Sequence, residues 1–292
     1  MPDNTDTSLL RTIPRVLRAR DFHLYLEGGK RLTDLWRSGG QVVLGHKPPK
    51  VLGELKNACE RGLFSALPHP TEQRFLKALA ALFPNKVFRL YTNDSSLRRA
   101  LARAGFTEES RASFPDPAFP PQDGFPSRVS LWRPFLTNNN DVSVYVPVLP
   151  FPLAPSVLII NREFDHSFSA SDLISPVVLS PAVRALYNLI SILKVFDTKR
   201  EYPYYPKLHK ALSQFSSDSQ QVRWHRKGIY LTVDRSIDND QYATMFKQFL
   251  SEGFLLPPSS SEPAILPLEM SDGEEAKFAG LLIQQWEAQA FG

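Results

Sequence analysis

Apolar residues recur at helical spacing in some stretches of the chain and at strand spacing in others, and this alternation predicts an order of elements. Residues 8–20 place Leu9, Ile13, Val16 and Leu17 on one helical face, with arginines mostly opposite, which predicts a helix. Phe22–Glu27 and Arg31–Trp36 flank Gly28-Gly29, a hairpin signal with residues that tolerate positive φ at the turn. Pro49–Arg61 reads as a helix closed by Gly62. Pro70–Phe83 reads as a second helix, with Phe75, Leu76, Leu79 and Leu82 or Phe83 inward. Val87–Tyr91 is a short strand, and Asn93-Asp94-Ser95-Ser96 leads into a helix over Leu97–Ala104 with Asp94 or Ser95 as its N-cap. Val129–Trp132, Val142–Val148 and Val157–Ile160 read as strands, the last an unbroken apolar run of the kind buried on both faces. Ser180–Val195 keeps the helical period through Val183, Leu186, Tyr187, Ile190 and Leu193. A compact α/β stretch follows. It has a helix over 207–215, strands over 222–225 and 229–233, a helix over 239–252, short strands over 254–256 and 264–268, and a helix from Asp272 to about Gln289. No internal repeat is visible.

Composition narrows the picture. With 292 residues, 42% of them hydrophobic, the chain is long enough for two domains and apolar enough for a substantial core. Its 25 prolines crowd between Pro115 and Pro155, which disfavours helices there. A shift at Phe196–Pro206 marks a domain junction. The net charge of +4 is scattered rather than clustered, which argues against a nucleic-acid binder, and a solvated face is the preferred reading of the basic residues in 8–20. The single cysteine, Cys59, excludes an intrachain disulfide and a cysteine-rich zinc site, and its helical spacing from Leu55 reads as a buried thiol. The N-terminal Met-Pro-Asp-Asn-Thr-Asp has neither a positive nor an apolar leader region, and no run reads as a membrane span, so a soluble, cytoplasmic protein is expected.

The stretch Gly39–Pro49 is neither helix nor strand from end to end. Glycines precede a short apolar run, and Gly45-His46-Lys47-Pro48 stops it. His46 has no metal-ligand spacing and reads as structural. In collinear order, "RLTDLWRSGGQVVLGHKPPKVLGELKNA", "PHPTEQRFLKALAALFP" and "YTNDSSLRRALARAG" resemble the amino-terminal part of class III aminotransferases, which use pyridoxal phosphate (PLP). "SPVVLSPAVRALYNLI", "KGIYLTVD" and "MFKQFLSEGFLLPPSSSEPAILPL" are similar to the family's later elements. The resemblance covers about residues 20–105 and 175–290. It implies an α/β, PLP-transferase-like fold with a reduced large α/β domain and a small α+β domain. Residues 1–49 (helix and hairpin) and 196–292 would build the small domain, and 50–195 the large one. It also implies PLP as cofactor, no metal, and a homodimer.

Residue by residue, the family's chemistry is incomplete. Ser95 and Ser96 occupy the place of the phosphate cradle, but Asp94 stands where a dianion should sit, and a plain N-cap is at least as good a reading. From Val87 through Leu193 there is no lysine to form the Schiff base; Lys194 comes after the relevant helix. The acid that should face the pyridine nitrogen falls at Asn161, or at Asp165 if the alignment slips. The strand Ala264–Leu268 lacks the arginine expected for a substrate carboxylate. A degenerate family member without transaminase activity is therefore expected, kept as a binding or regulatory module, with any retained ligand site at Ser95, Ser96, Asn161, His166 and Ser167. The alternatives are an active PLP enzyme with a displaced lysine, or a lysine-less PLP enzyme using His166. A hydrolase built from Asp165, His166 and Ser167 or Ser169 is disfavoured because these residues are adjacent in sequence and no nucleophile elbow is present. Trp132 and Trp224 read as core aromatics rather than nucleic-acid stacking platforms.

Overall fold

The structure, a computed structural model, describes residues 8–107, 114–120, 128–136, 142–196, 204–214, 224–234 and 237–290. The chain divides into two compact units, one of residues 1–39, 118–120 and 197–292, the other of residues 40–117 and 121–196. Strands and α-helices are numbered below in chain order. Of the sequence-predicted elements, Val222, Arg223, Phe215 and part of the proline-rich zone lie outside the described residues.

The first unit is built on the glycine hairpin. Strands β1 (Val16–Arg20), β2 (His23–Leu26) and β3 (Arg31–Asp34) are antiparallel neighbours, and β10 (Phe254–Leu255) adds to β3 in parallel. Gly28 and Gly29 both sit at φ +83°, which permits the tight turn between β2 and β3. The helix expected over residues 8–20 does not form beyond its first turn. Pro14 fixes its own φ, lacks an N–H, and pushes the residue before it toward extended backbone, so the chain enters β1 instead. Leu9 is buried, but Leu17 is 71% exposed.

A second sheet, in the order β11 (Ala264–Ile265), β9 (Tyr230–Val233), β8 (Trp224–Lys227), is antiparallel throughout. Helices α5 (Pro206–Gln214), α6 (Asn239–Ser251) and α7 (Asp272–Ala290) complete the unit. Leu32, Leu35, Leu231, Phe246, Phe249, Phe254 and Phe278 share one core, where the Phe278 ring meets Phe249 edge-on at 5.8 Å. Two carboxylates, the buried Glu275 and the exposed Asp238, organise helix ends. Glu275 accepts from the Lys207 and Leu208 amides at the start of α5 (2.6 and 3.1 Å), and Asp238 with Gln241 forms a capping box on α6.

The second unit begins in the Gly39–Pro49 stretch. Its apolar run is not a strand: the Val43 amide bonds to the Gly40 carbonyl and the Gly45 amide to the Val42 carbonyl, two consecutive turns with Gly45 at φ +88°. Helices α1 (Val51–Glu60) and α2 (Pro70–Leu82) follow, then β4 (Lys86–Tyr91) and α3 (Asp94–Arg103). Strands β5 (Val129–Trp132), β6 (Val144–Pro147) and β7 (Ser156–Asn161) lead to a 3₁₀ segment, Arg162–Ser167, and to α4 (Pro176–Val195).

The sheet order is β4-β7-β6-β5. Strand β7 is antiparallel to both β4 and β6, while β5 and β6 are parallel. As the unbroken apolar run predicts, Val157 through Ile160 are buried on both faces. Helix α4 packs on α1 and α2 through residues such as Leu179, Ala182, Ala185 and Leu189. At 20 residues it is long and apolar enough to cross a membrane, contrary to the expectation that no run has that reach. Its buried face runs through Leu179, Ala182, Ala185, Leu186 and Leu189; of the residues expected to keep the helical face, only Leu186 is buried, Val183, Ile190 and Leu193 are half-buried and Tyr187 is exposed. Cys59 is only partly buried; Ala58 is the inward residue on that turn of α1.

Candidate functional site

In open α/β sheets ligands bind outside the carboxyl ends of the strands. The register of the second unit's sheet places the carboxyl ends of β4, β5 and β6 and the amino end of β7 on one edge, because Tyr91 pairs with Ser156 and Trp132 with Pro147. Thr92–Ser96, Arg133 and the 148–155 connection therefore gather at that edge.

Two groups stand out there. At the end of β5, Arg133 holds Asp116 with two parallel bonds of 2.7 Å (Nε to Oδ1, Nη2 to Oδ2), and their side chains are only 4% and 7% exposed. At the end of β4 the buried Tyr91 hydroxyl has no hydrogen-bond partner. Burial, reinforced by nearby Asp172, raises its pKa to about 12 against the opposing effect of Arg89.

Ser95 and Ser96 lie on this edge, in the first turn of α3. The cap is Asn93, one residue before the expected Asp94 and two before Ser95: its Oδ1 accepts from the Ser96 amide at 2.9 Å. Asp94 pairs with Arg98 at 2.7 Å, and the Ser96 hydroxyl accepts from Arg99 at 3.0 Å.

The other three expected site residues are elsewhere. Asn161 ends β7, which runs against β4, so it lies opposite Lys86 at the far edge of the sheet. A strand of six residues separates the two edges by about 17 Å. There the Lys86 ammonium donates to the Asn161 amide oxygen, and the Asn161 amide nitrogen donates to the Val142 carbonyl at 3.3 Å. His166 and Ser167 belong to the segment that returns along the outer side of β4. Asp165 pairs with Arg89, and the Leu90 amide donates to Ser171. Asp165 is thus spent on β4 and does not substitute for Asn161. His166 is exposed. Within the chain the structure does not bring Asn161, His166 and Ser167 together with Ser95 and Ser96: Asn161 ends the antiparallel β7 at the far edge, and His166 and Ser167 follow it in the segment beside β4.

A PLP group at the carboxyl edge needs a primary amine for its aldehyde, an acid for its ring nitrogen and an open cradle for its phosphate. The residues present do not fit it. No lysine occurs from Val87 through Leu193, a span that contains every strand ending at the edge except the start of β4. The terminal residue of β5 is followed by a cation, Arg133, already committed to Asp116. The first turn of α3 has its Ser96 amide engaged and carries the Asp94 carboxylate. Among the described residues no cluster of three or more His, Cys, Asp or Glu is placed to hold a metal.

Comparison with solved structures decides the architecture. The ornithine δ-aminotransferase of Plasmodium falciparum superposes with a TM-score of 0.69 at 14% identity, over 94% of this chain and 93% of that one. The acetylornithine aminotransferase of Elizabethkingia anophelis gives 0.64 at 10% identity, over 94% of each chain. The fold is that of the PLP-dependent transferases. Two sequence relatives that match this PLP-transferase-fold chain over most of its length are uncharacterized proteins. One from Treponema pallidum is 25% identical over 89% of this chain and 91% of its own length, and one from Borreliella burgdorferi 24% over 94% and 93%. Glutamate-1-semialdehyde 2,1-aminomutase of Thermus thermophilus matches only in part, 33% identical over 73 residues, a quarter (25%) of this chain and 17% of that protein. No family model matches the chain.

Sequence reading missed Arg133–Asp116, Tyr91 and the Lys86–Asn161 pair. The first crosses a gap of 17 residues through the proline-rich zone, where no periodicity links the partners. The last requires knowledge of strand direction.

Proposed function

We propose that this chain is a PLP-transferase-fold protein that does not transaminate and serves as a binding or regulatory module, acting as a homodimer. The observation that carries the reading is the lysine-free span from Val87 through Leu193, so that no strand or connection within that span brings a primary amine to the carboxyl edge of the sheet. Arginine does not replace it: the guanidinium stays protonated and is not nucleophilic. Ser95 and Ser96 are the groups proposed to contact any ligand still bound at that edge, without a covalent bond. The exposed apolar residues Phe64 (61%) and Leu67 (64%), beside α2, are the proposed contact with a second copy.

The activity test is direct. Purified protein supplied with PLP, an amino donor such as ornithine and a keto-acid acceptor is expected to give no product above a protein-free control. Turnover that scales with protein and vanishes without PLP would restore the reading of an active enzyme with a displaced lysine.

A further inference from the structure

We infer that the cleft between α1, α2 and α4 of the second unit is a binding site for a small oxyanion, a phosphoryl or carboxylate group. Two adjoining hollows of about 180 and 200 Å³ share Glu54, Thr71, Arg74 and Ser180 as lining. Arg61 and His69 line one end, and Arg184 and Tyr187 the other. None of the residues at the carboxyl edge of the sheet lines either hollow. The site is therefore separate from the one discussed above and does not rest on the proposed loss of transamination.

Three guanidinium groups facing one carboxylate make the lining cationic. Arginine remains charged at any physiological pH and presents a planar fork that suits carboxylate and phosphate oxygens. The decisive residue is Arg184. Its Nε is buried and has no hydrogen-bond partner. The side chain as a whole is half-buried, so this Nε is a donor withdrawn from water beside the hollow, and an anion oxygen entering there would satisfy it. Among the described residues, no hydrogen bond or ion pair engages the Arg74 side chain either, so two cations from facing helices line the same hollow, with Glu54 as its single carboxylate. The hydroxyls of Ser180 and Tyr187 supply additional neutral donors. Drug-sized ligands occupy hollows of roughly 300–1,000 Å³, so the volumes here suit a small anion or the charged head of a larger metabolite.

The full-length protein is titrated calorimetrically with inorganic phosphate and, separately, with succinate, at constant ionic strength. Saturable binding of either is expected, and the tighter of the two identifies phosphoryl or carboxylate as the preferred group. Arg184→Gln and Arg74→Gln are each expected to weaken binding by about tenfold or more, as loss of a charge-assisted contact should. Glu54→Gln is expected to tighten it by removing the opposing charge. Arg74 is exposed, so its variant keeps the test valid should Arg184→Gln fold poorly. Absence of saturable binding for both anions, or unchanged affinity in Arg74→Gln, overturns the inference.

Discussion

Arg133 and Asp116 show how one buried pair shapes the edge of a sheet. Their bidentate contact is almost fully withdrawn from water, so removing one partner strands the other. Asp116→Ala is expected to destabilise the second unit by about 3–5 kcal/mol, read from chemical denaturation, whereas replacing both residues by apolar ones of similar volume should cost much less. Glu274 is the corresponding residue in the first unit. It accepts from His23 at 2.8 Å and Arg31 at 3.1 Å and bonds Ser271, tying the β2–β3 hairpin to the start of α7. Burial raises its pKa, but the bonds from His23 and Ser271 outweigh this and hold it at about 2, below the ordinary 4.5. Because the folded pKa is the lower one, the stabilisation is full above pH 4.5 and disappears as pH falls toward about 2. Thermal melts of Glu274→Gln should therefore lie below wild type at pH 6, with the two converging near pH 2. A constant gap across that range would contradict the assignment.

At the level of elements, periodicity located α1, α2, α4, α6 and α7 to within a few residues, since each buries a face at helical spacing against its unit's core. It failed at β1, where Leu9, Ile13, Val16 and Leu17 mimic a helical stripe that Pro14 does not allow to propagate. The unbroken apolar run of β7 fixed its burial but carried no information about direction, because an interior strand looks alike read parallel or antiparallel. The antiparallel register is what separates Asn161 from Ser95 and Ser96, which chain order alone groups with it. The lysine-free span, by contrast, was legible from composition alone and did not depend on register. The cap of α3 is testable on its own: Asn93→Ala leaves the Ser96 amide unpaired and is expected to cost about 0.5–2 kcal/mol, whereas Ser95→Ala should be nearly silent in the same denaturation experiment.

For the whole molecule, the proposed dimer predicts a light-scattering mass of twice the 33.0 kDa chain. Phe64→Asp with Leu67→Asp should bring it to one chain without loss of helical circular dichroism, since both side chains are exposed within the protomer. The transferase fold extends over 94% of the chain, and the carboxyl edge of its large sheet holds the Arg133–Asp116 pair. The most direct measurement incubates the protein with excess PLP, reduces it with borohydride and determines the intact mass and the modified peptide. No stoichiometric gain of a pyridoxyl group on any one lysine is expected, with at most scattered surface labelling. Complete labelling of a single lysine, preceded by an absorbance band at the edge of the visible, would contradict it and mark the protein as a working PLP enzyme.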